Sequence, residues 1–166
     1  AEQGWRTIRI DSAGSVRIHV GRRFPGNDEA LLVCFSVARL TPGEKLPDGQ
    51  GFSVERADPV GDGNTWLALT RKASGSVELF SAMACDVAGA LDLAAAEGAD
   101  EHRSLRVFLG RVRAWQEFMR KGATALSPEA EIGLIGELLT LAAIIDAGVP
   151  AHVAVASWVG PLDGVQ

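Results

Sequence analysis

One carboxylate in this sequence interrupts an otherwise apolar run. In Gly133-Leu134-Ile135-Gly136-Glu137-Leu138-Leu139, Glu137 is flanked by leucines, and charged side chains are seldom fully buried without a partner. Such a carboxylate reaches solvent at the edge of the stripe, pairs with an arginine, or belongs to a functional site. Gly133 and Gly136 lie three apart in the same helical stretch, where each costs about 1 kcal/mol relative to alanine. The spacing predicts close approach of a neighbouring backbone, which would offset that cost.

The second chemistry-bearing set is cationic. Arg103, Arg106, Arg111, Arg113, Arg120 and Lys121 fall within one segment, with Glu117 its main acidic interruption. Clustered cations suit phosphate contacts on nucleic acid, and they equally suit a solvated helix face. Trp115 and Phe118 in the same segment fall at apolar-stripe positions and read as core. Cys34 and Cys85 sit among apolar neighbours and read as reduced core thiols of a cytoplasmic protein. His19, His102 and His152 stand apart, with no zinc-ligand spacing. The PGEKLPDGQG stretch lacks the GK[ST] ending of a phosphate loop, and no GxSxG elbow occurs. No complete active site can be read from the residues themselves.

These residues need elements to position them. Ser15 to Val20 alternates apolar and polar with a period of two, as a half-buried strand does. Ala30 to Val37 is continuously apolar and predicts a central strand, with Pro25-Gly26-Asn27 as the turn before it. Phe52 to Glu55, Thr65 to Arg71 and Val77 to Phe80 are further short strand candidates. From Phe80 the period changes: Phe80, Met83, Ala84, Val87, Leu91 and Ala94 predict a helix ending near Gly98. A second helix follows from about Glu101 to Gly122, striped by Leu105, Phe108, Leu109, Val112, Trp115, Phe118 and Met119. A third has Ser127 as N-cap, Pro128 at its first position, and Gly148 and Pro150 as its stop. His152 to Val159 predicts a strand.

Composition bounds the rest. The chain has 166 residues, 47% hydrophobic, with formal net charge −5 and mean hydropathy +0.13, which excludes wholesale disorder. No uninterrupted apolar run reaches the roughly 18 to 20 residues of a membrane span, and the polar N-terminus has no signal-peptide core. An acidic chain binds nucleic acid only through a local basic patch, and the second helix is that patch.

The order Trp115, Leu126, GLIGELLTL, then Ala156-Ser157-Trp158-Val159-Gly160-Pro161 resembles an uncharacterised bacterial family assigned to the PD-(D/E)XK nuclease superfamily. That family shows a tryptophan-bearing helix, a G-L-x-G-E-L helix, W-x-G-P, an Asp-Phe pair and a Glu-x-Lys. The resemblance implies an α+β chain. A β-rich N-terminal domain (1–98) is followed by a basic linker helix (99–126) and by the first helix and first strand of a restriction-endonuclease-like α/β core (127–166). It also implies that Glu137 is the helix acidic residue of a Mg²⁺ site, with DNA as substrate in restriction or phage defence and other defence proteins as partners. No Asp-Phe or Glu-x-Lys follows in these residues, and Asp163 lies in the turn before the family's Asp. The expectation is therefore a truncated nuclease core, catalytically incomplete by itself. The alternative is a non-enzymatic module that binds nucleic acid or a protein of a defence complex. No membrane partner is expected.

Overall fold

The computed structural model describes residues 3–10, 14, 16–122 and 128–157. Strands β1 (Gly4–Ile10), β2 (Arg17–Phe24), β3 (Asp28–Phe35), β4 (Phe52–Ala57) and β5 (Thr65–Arg71) precede helices α1 (Val77–Ala96), α2 (Glu101–Gly122), α3 (Pro128–Asp146) and α4 (Ala151–Ser157). This is an α+β chain. The strands form one antiparallel sheet in the order β1-β2-β3-β5-β4. The run expected to be central is the middle strand, β3. The turn at Pro25-Gly26-Asn27 joins β2 to β3, with Asn27 in the left-handed region at φ 57°.

One strand was unforeseen and two local expectations are corrected. Gly4–Ile10 is a strand that the polar N-terminal composition concealed, paired along its length with β2. Val77 to Phe80 is the first turn of α1, because the Ser76 hydroxyl accepts from the Leu79 N–H at 3.2 Å and caps the helix there. His152 to Ser157 is helical as part of α4. The Pro150 carbonyl accepts from Val153 N–H and Ala154 N–H at 2.9 and 3.1 Å, and alternating Val and Ala suit a helix as readily as a strand. Ser15, Leu126, the Ser127 cap, Trp158 to Pro161 and Asp163 lie outside the described residues.

The helix stops follow from the glycines. Gly98, at φ +77°, donates to Ala95 O while Ala99 donates to Ala94 O, so the carbonyls left open at the end of α1 are satisfied. Gly148 ends α3 with the same bonding pattern, to Ile145 O and from Val149 to Ile144 O.

The chain divides into two compact units, Ala1–Ala123 and Thr124–Gln166. In the first, α1 and α2 cover one face of the sheet. Phe80, Met83, Val87 and Leu91 of α1 and Leu105, Phe108, Leu109 and Val112 of α2 pack on Ile18, Leu31, Val33, Phe35 and Leu67. The opposite face buries a smaller cluster of Leu32, Cys34, Trp66 and Ala68 beside Trp5. Trp66 is only 1% exposed. It lies under Arg17, 5.3 Å from the ring centre, against the His19 ring, and donates to Asp62 at 3.0 Å. Burial on both faces explains why β3 reads as a continuous apolar run. α1 is long and apolar enough by composition to cross a membrane, although Asp86 and Asp92 interrupt it. Its apolar stripe packs on the sheet, as a core helix does.

Cys34 is buried and unpaired as expected, whereas Cys85 is exposed. The α1 positions that face the sheet are 83, 87 and 91, and position 85 points away from them.

Candidate nucleic-acid interface

The segment between β3 and β4 lies along α2 and is tied to it at three levels. At the start of α2, the Glu101 carboxylate accepts from Val37 N–H and Ala38 N–H at 2.6 and 3.1 Å. Burial raises the Glu101 carboxyl, but these amides outweigh it and hold it below the ordinary carboxylate range. Further along, Arg113 donates to Glu44 at 2.9 Å. The Gln116 amide donates to the Asp48 carbonyl at 2.8 Å.

The cations of α2 are mostly engaged. Arg103 pairs with Glu97 at 2.6 Å, Arg113 with Glu44 at 2.9 Å, and Arg120 with Glu117 at 2.7 Å, with Lys121 3.9 Å from Glu117. Arg111 donates to Asp86 through Nε at 2.6 Å, and Trp115 Nε1 donates to the same carboxylate at 2.7 Å. The Arg111 and Trp115 bonds together hold the Asp86 carboxyl below its usual range. Among the described residues Arg106 has neither a hydrogen bond nor an ion pair. These pairs are exposed, worth about 1 kcal/mol or less each.

Arg106 opens into a groove of about 480 Å³ between α2 and the β3–β4 segment, lined by Arg39, Thr41, Glu44, His102, Arg106 and Arg113 with Leu105 and Leu109 as its floor. His102, Arg106, Leu109 and Arg113 share one helix face at spacings of three and four. Arg39 and His102 escaped the sequence reading. The periodicity of α2 could have marked His102, but only the path of the β3–β4 segment brings Arg39 beside it.

Trp115 is half-buried, as its stripe position implied. Phe118 is 62% exposed, which corrects the expectation that it packs in the core. It stands edge-on to Trp115 with ring centres 5.6 Å apart, and Asp86, Arg111 and Ala114 complete this shallow aromatic cleft.

Glu137 is half-buried on α3, while Ile132, Ile135, Leu138 and Leu139 around it are exposed. A Cβ built on Gly133 or Gly136 meets nothing within 4 Å, so the expected close backbone approach is absent among the described residues. Nor do those residues contain a group of three or more His, Cys, Asp or Glu placed to hold a metal ion. Glu137 alone does not make a Mg²⁺ site, which needs near-octahedral oxygen coordination.

No curated protein and no solved structure matches the chain. One family model covers it from residue 1 to residue 166, well beyond the last third where the quoted motifs lie. The chain belongs to the family described as “Putative PD-(D/E)XK family member (DUF4420)”.

Proposed function

We propose that the chain has a nuclease-like function on DNA with Mg²⁺, and that α2 presents its cations to the phosphate backbone. Membership of a PD-(D/E)XK family over the whole chain carries this reading. The concentration of arginines on one helix of a chain with net charge −5 supports it. Arg106, unpartnered among the described residues, is the first contact. Arg103, Arg111, Arg113, Arg120 and Lys121 follow by exchanging surface carboxylates for phosphate oxygens, which accept charge-assisted hydrogen bonds in the same way. Glu137 is the carboxylate that this chain offers to Mg²⁺, an ion that activates water and stabilises charge on the phosphodiester when bound. No hydrolytic step is assigned to the described residues, whose part is to bind and orient DNA. The resemblance supports a restriction or phage-defence setting with defence proteins as partners, and the two unpaired cysteines support a cytoplasmic one.

Plasmid cleavage by the protein with Mg²⁺ or Mn²⁺ tests the chemistry. Glu137→Gln is expected to slow cutting roughly a hundredfold or more, the size of a few kcal/mol of lost transition-state stabilisation. Unchanged cutting by that variant, or no cutting by the wild type, defeats the assignment. A second reading, a non-enzymatic binding module of a defence complex, is favoured by exposed Phe118 beside Trp115. DNA affinity that ignores salt, or is absent, selects its protein-docking form.

A further inference from the structure

We propose that the groove between α2 and the β3–β4 segment is a phosphate-binding site, with Arg106 as its direct ligand, Arg39 and Arg113 as further guanidinium donors and His102 beside them on its wall. Its assignment to nucleic-acid phosphate rests on the DNA reading above, whereas the chemistry of the groove does not. Three guanidiniums line it against one carboxylate, Glu44, which is already bonded to Arg113. Glu101 keeps its charge near Arg39, but its carboxylate is turned onto the Val37 and Ala38 amides.

Arg39 is held rigidly. Its Nη1 donates to the carbonyls of Ser36 and Ala38 at 2.9 and 3.0 Å, with Phe35 O at 3.4 Å, which leaves its remaining N–H donors available in the groove. A guanidinium fixed in this way loses little side-chain freedom on meeting an anion, and that loss is the usual cost of using arginine. Arg106 has no partner among the described residues to give up. The Thr41 hydroxyl adds a neutral donor. The apolar floor of Leu105 and Leu109 lowers the local dielectric, which strengthens charge-assisted hydrogen bonds formed above it. Phosphate, with several strong acceptor oxygens, matches this set of donors. A cation does not, and a neutral ligand leaves the arginines uncompensated.

Two probes separate the site from its source. Inorganic pyrophosphate is titrated into the whole chain and followed by NMR of the arginine Nε–Hε and His102 ring signals. A 12-base-pair DNA duplex is followed by fluorescence anisotropy between 50 and 200 mM salt. Arg106→Glu and Arg106→Gln are compared with Arg56→Glu, which makes the same charge change at an exposed position of β4, and the fold of each variant is checked by circular dichroism. Pyrophosphate is expected to shift Arg39, His102, Arg106 and Arg113 and to displace the duplex. Arg106→Gln is expected to weaken duplex binding about tenfold, the size of one charge-assisted hydrogen bond, and to reduce the salt slope by about one. Arg56→Glu should cost clearly less than Arg106→Glu. Duplex binding that responds equally to the Arg56 and Arg106 variants, with pyrophosphate shifts elsewhere, overturns the groove but leaves the DNA reading standing. Pyrophosphate held in the groove with no duplex binding upholds the phosphate site and overturns the DNA reading. Binding of neither probe overturns both.

Discussion

Replacing Asp86 by asparagine should loosen the junction between α1 and α2 while leaving shape and volume nearly unchanged. Asp86 accepts from Arg111 and from Trp115 Nε1, the latter at 2.7 Å. An asparagine keeps one acceptor oxygen but turns an NH₂ towards the other donor. The Arg111 pair is half-exposed on the arginine side, so its share is limited to about 1 kcal/mol or less. The part-buried indole bond contributes about another 1 kcal/mol. The expected loss is therefore about 1–2 kcal/mol, a fall of roughly 0.5–1 M in the urea midpoint. The sign of the pH dependence follows from the depressed carboxyl: its folded value lies below the unfolded value of 3.8. Its stabilisation is present above pH 4 and is lost as pH falls through the folded value. The gap between wild type and Asp86→Asn should thus be the same at pH 7 and pH 5 and narrow below 4. A cycle with Trp115→Phe should return a coupling of about 0.5–1 kcal/mol. A variant as stable as the wild type at pH 7, or a coupling of zero, would refute this account of the junction.

Other perturbations test the rest of the first unit. Phe108→Ala, fully buried between α2 and the sheet, should cost about 3–5 kcal/mol in urea unfolding, and a loss under 1 kcal/mol would contradict its place in the core. Gly21→Ala should destabilise by about 1–3 kcal/mol, because its Cβ would fall 2.1 Å from Arg6 O and 2.8 Å from Thr7 Cα. Hydrogen exchange should then show β1 released first. Burial, and then the charges of Arg17 and Arg9, hold the His19 imidazole below its ordinary value. The unfolded chain therefore takes up the proton first, and stability should decline as pH falls below about 6.5. His19→Gln should flatten that decline, and an identical slope in both proteins would dismiss His19 as its source.

Periodicity located α1 and α2 and the residues they bury, since a stripe repeating every three to four positions has one way to leave water. It located β3 and β5 as well, because strands buried on both faces cannot afford polar alternation. The Gly98 and Gly148 stops were equally legible, as a left-handed C′ residue favours glycine. The strand at Gly4–Ile10 was not, because an edge strand paired on one side only leaves Arg6 and Arg9 exposed on opposite faces and so looks polar. His152 to Ser157 was misread because alternating Val and Ala satisfies both periods. Phe118 was read into the stripe of α2 and is nonetheless exposed, because it shares a side of the helix with exposed Arg111 and Ala114, while Met119 beside it keeps the contact with the core.

The motif order around Glu137 was enough to point to the PD-(D/E)XK family, since it depends on residue types and their spacing alone. The cationic content of α2 was also plain in one dimension. Which cations are engaged was not. Arg111 and Arg113 meet their carboxylates across 25 and 69 residues of chain, and Arg39 reaches the groove only because the β3–β4 segment is tied to α2 through Glu101, Glu44 and Asp48. Charge composition is additive along a sequence, whereas an electrostatic site depends on distances between residues remote in sequence, and those distances exist only after the sheet and the two helices have packed.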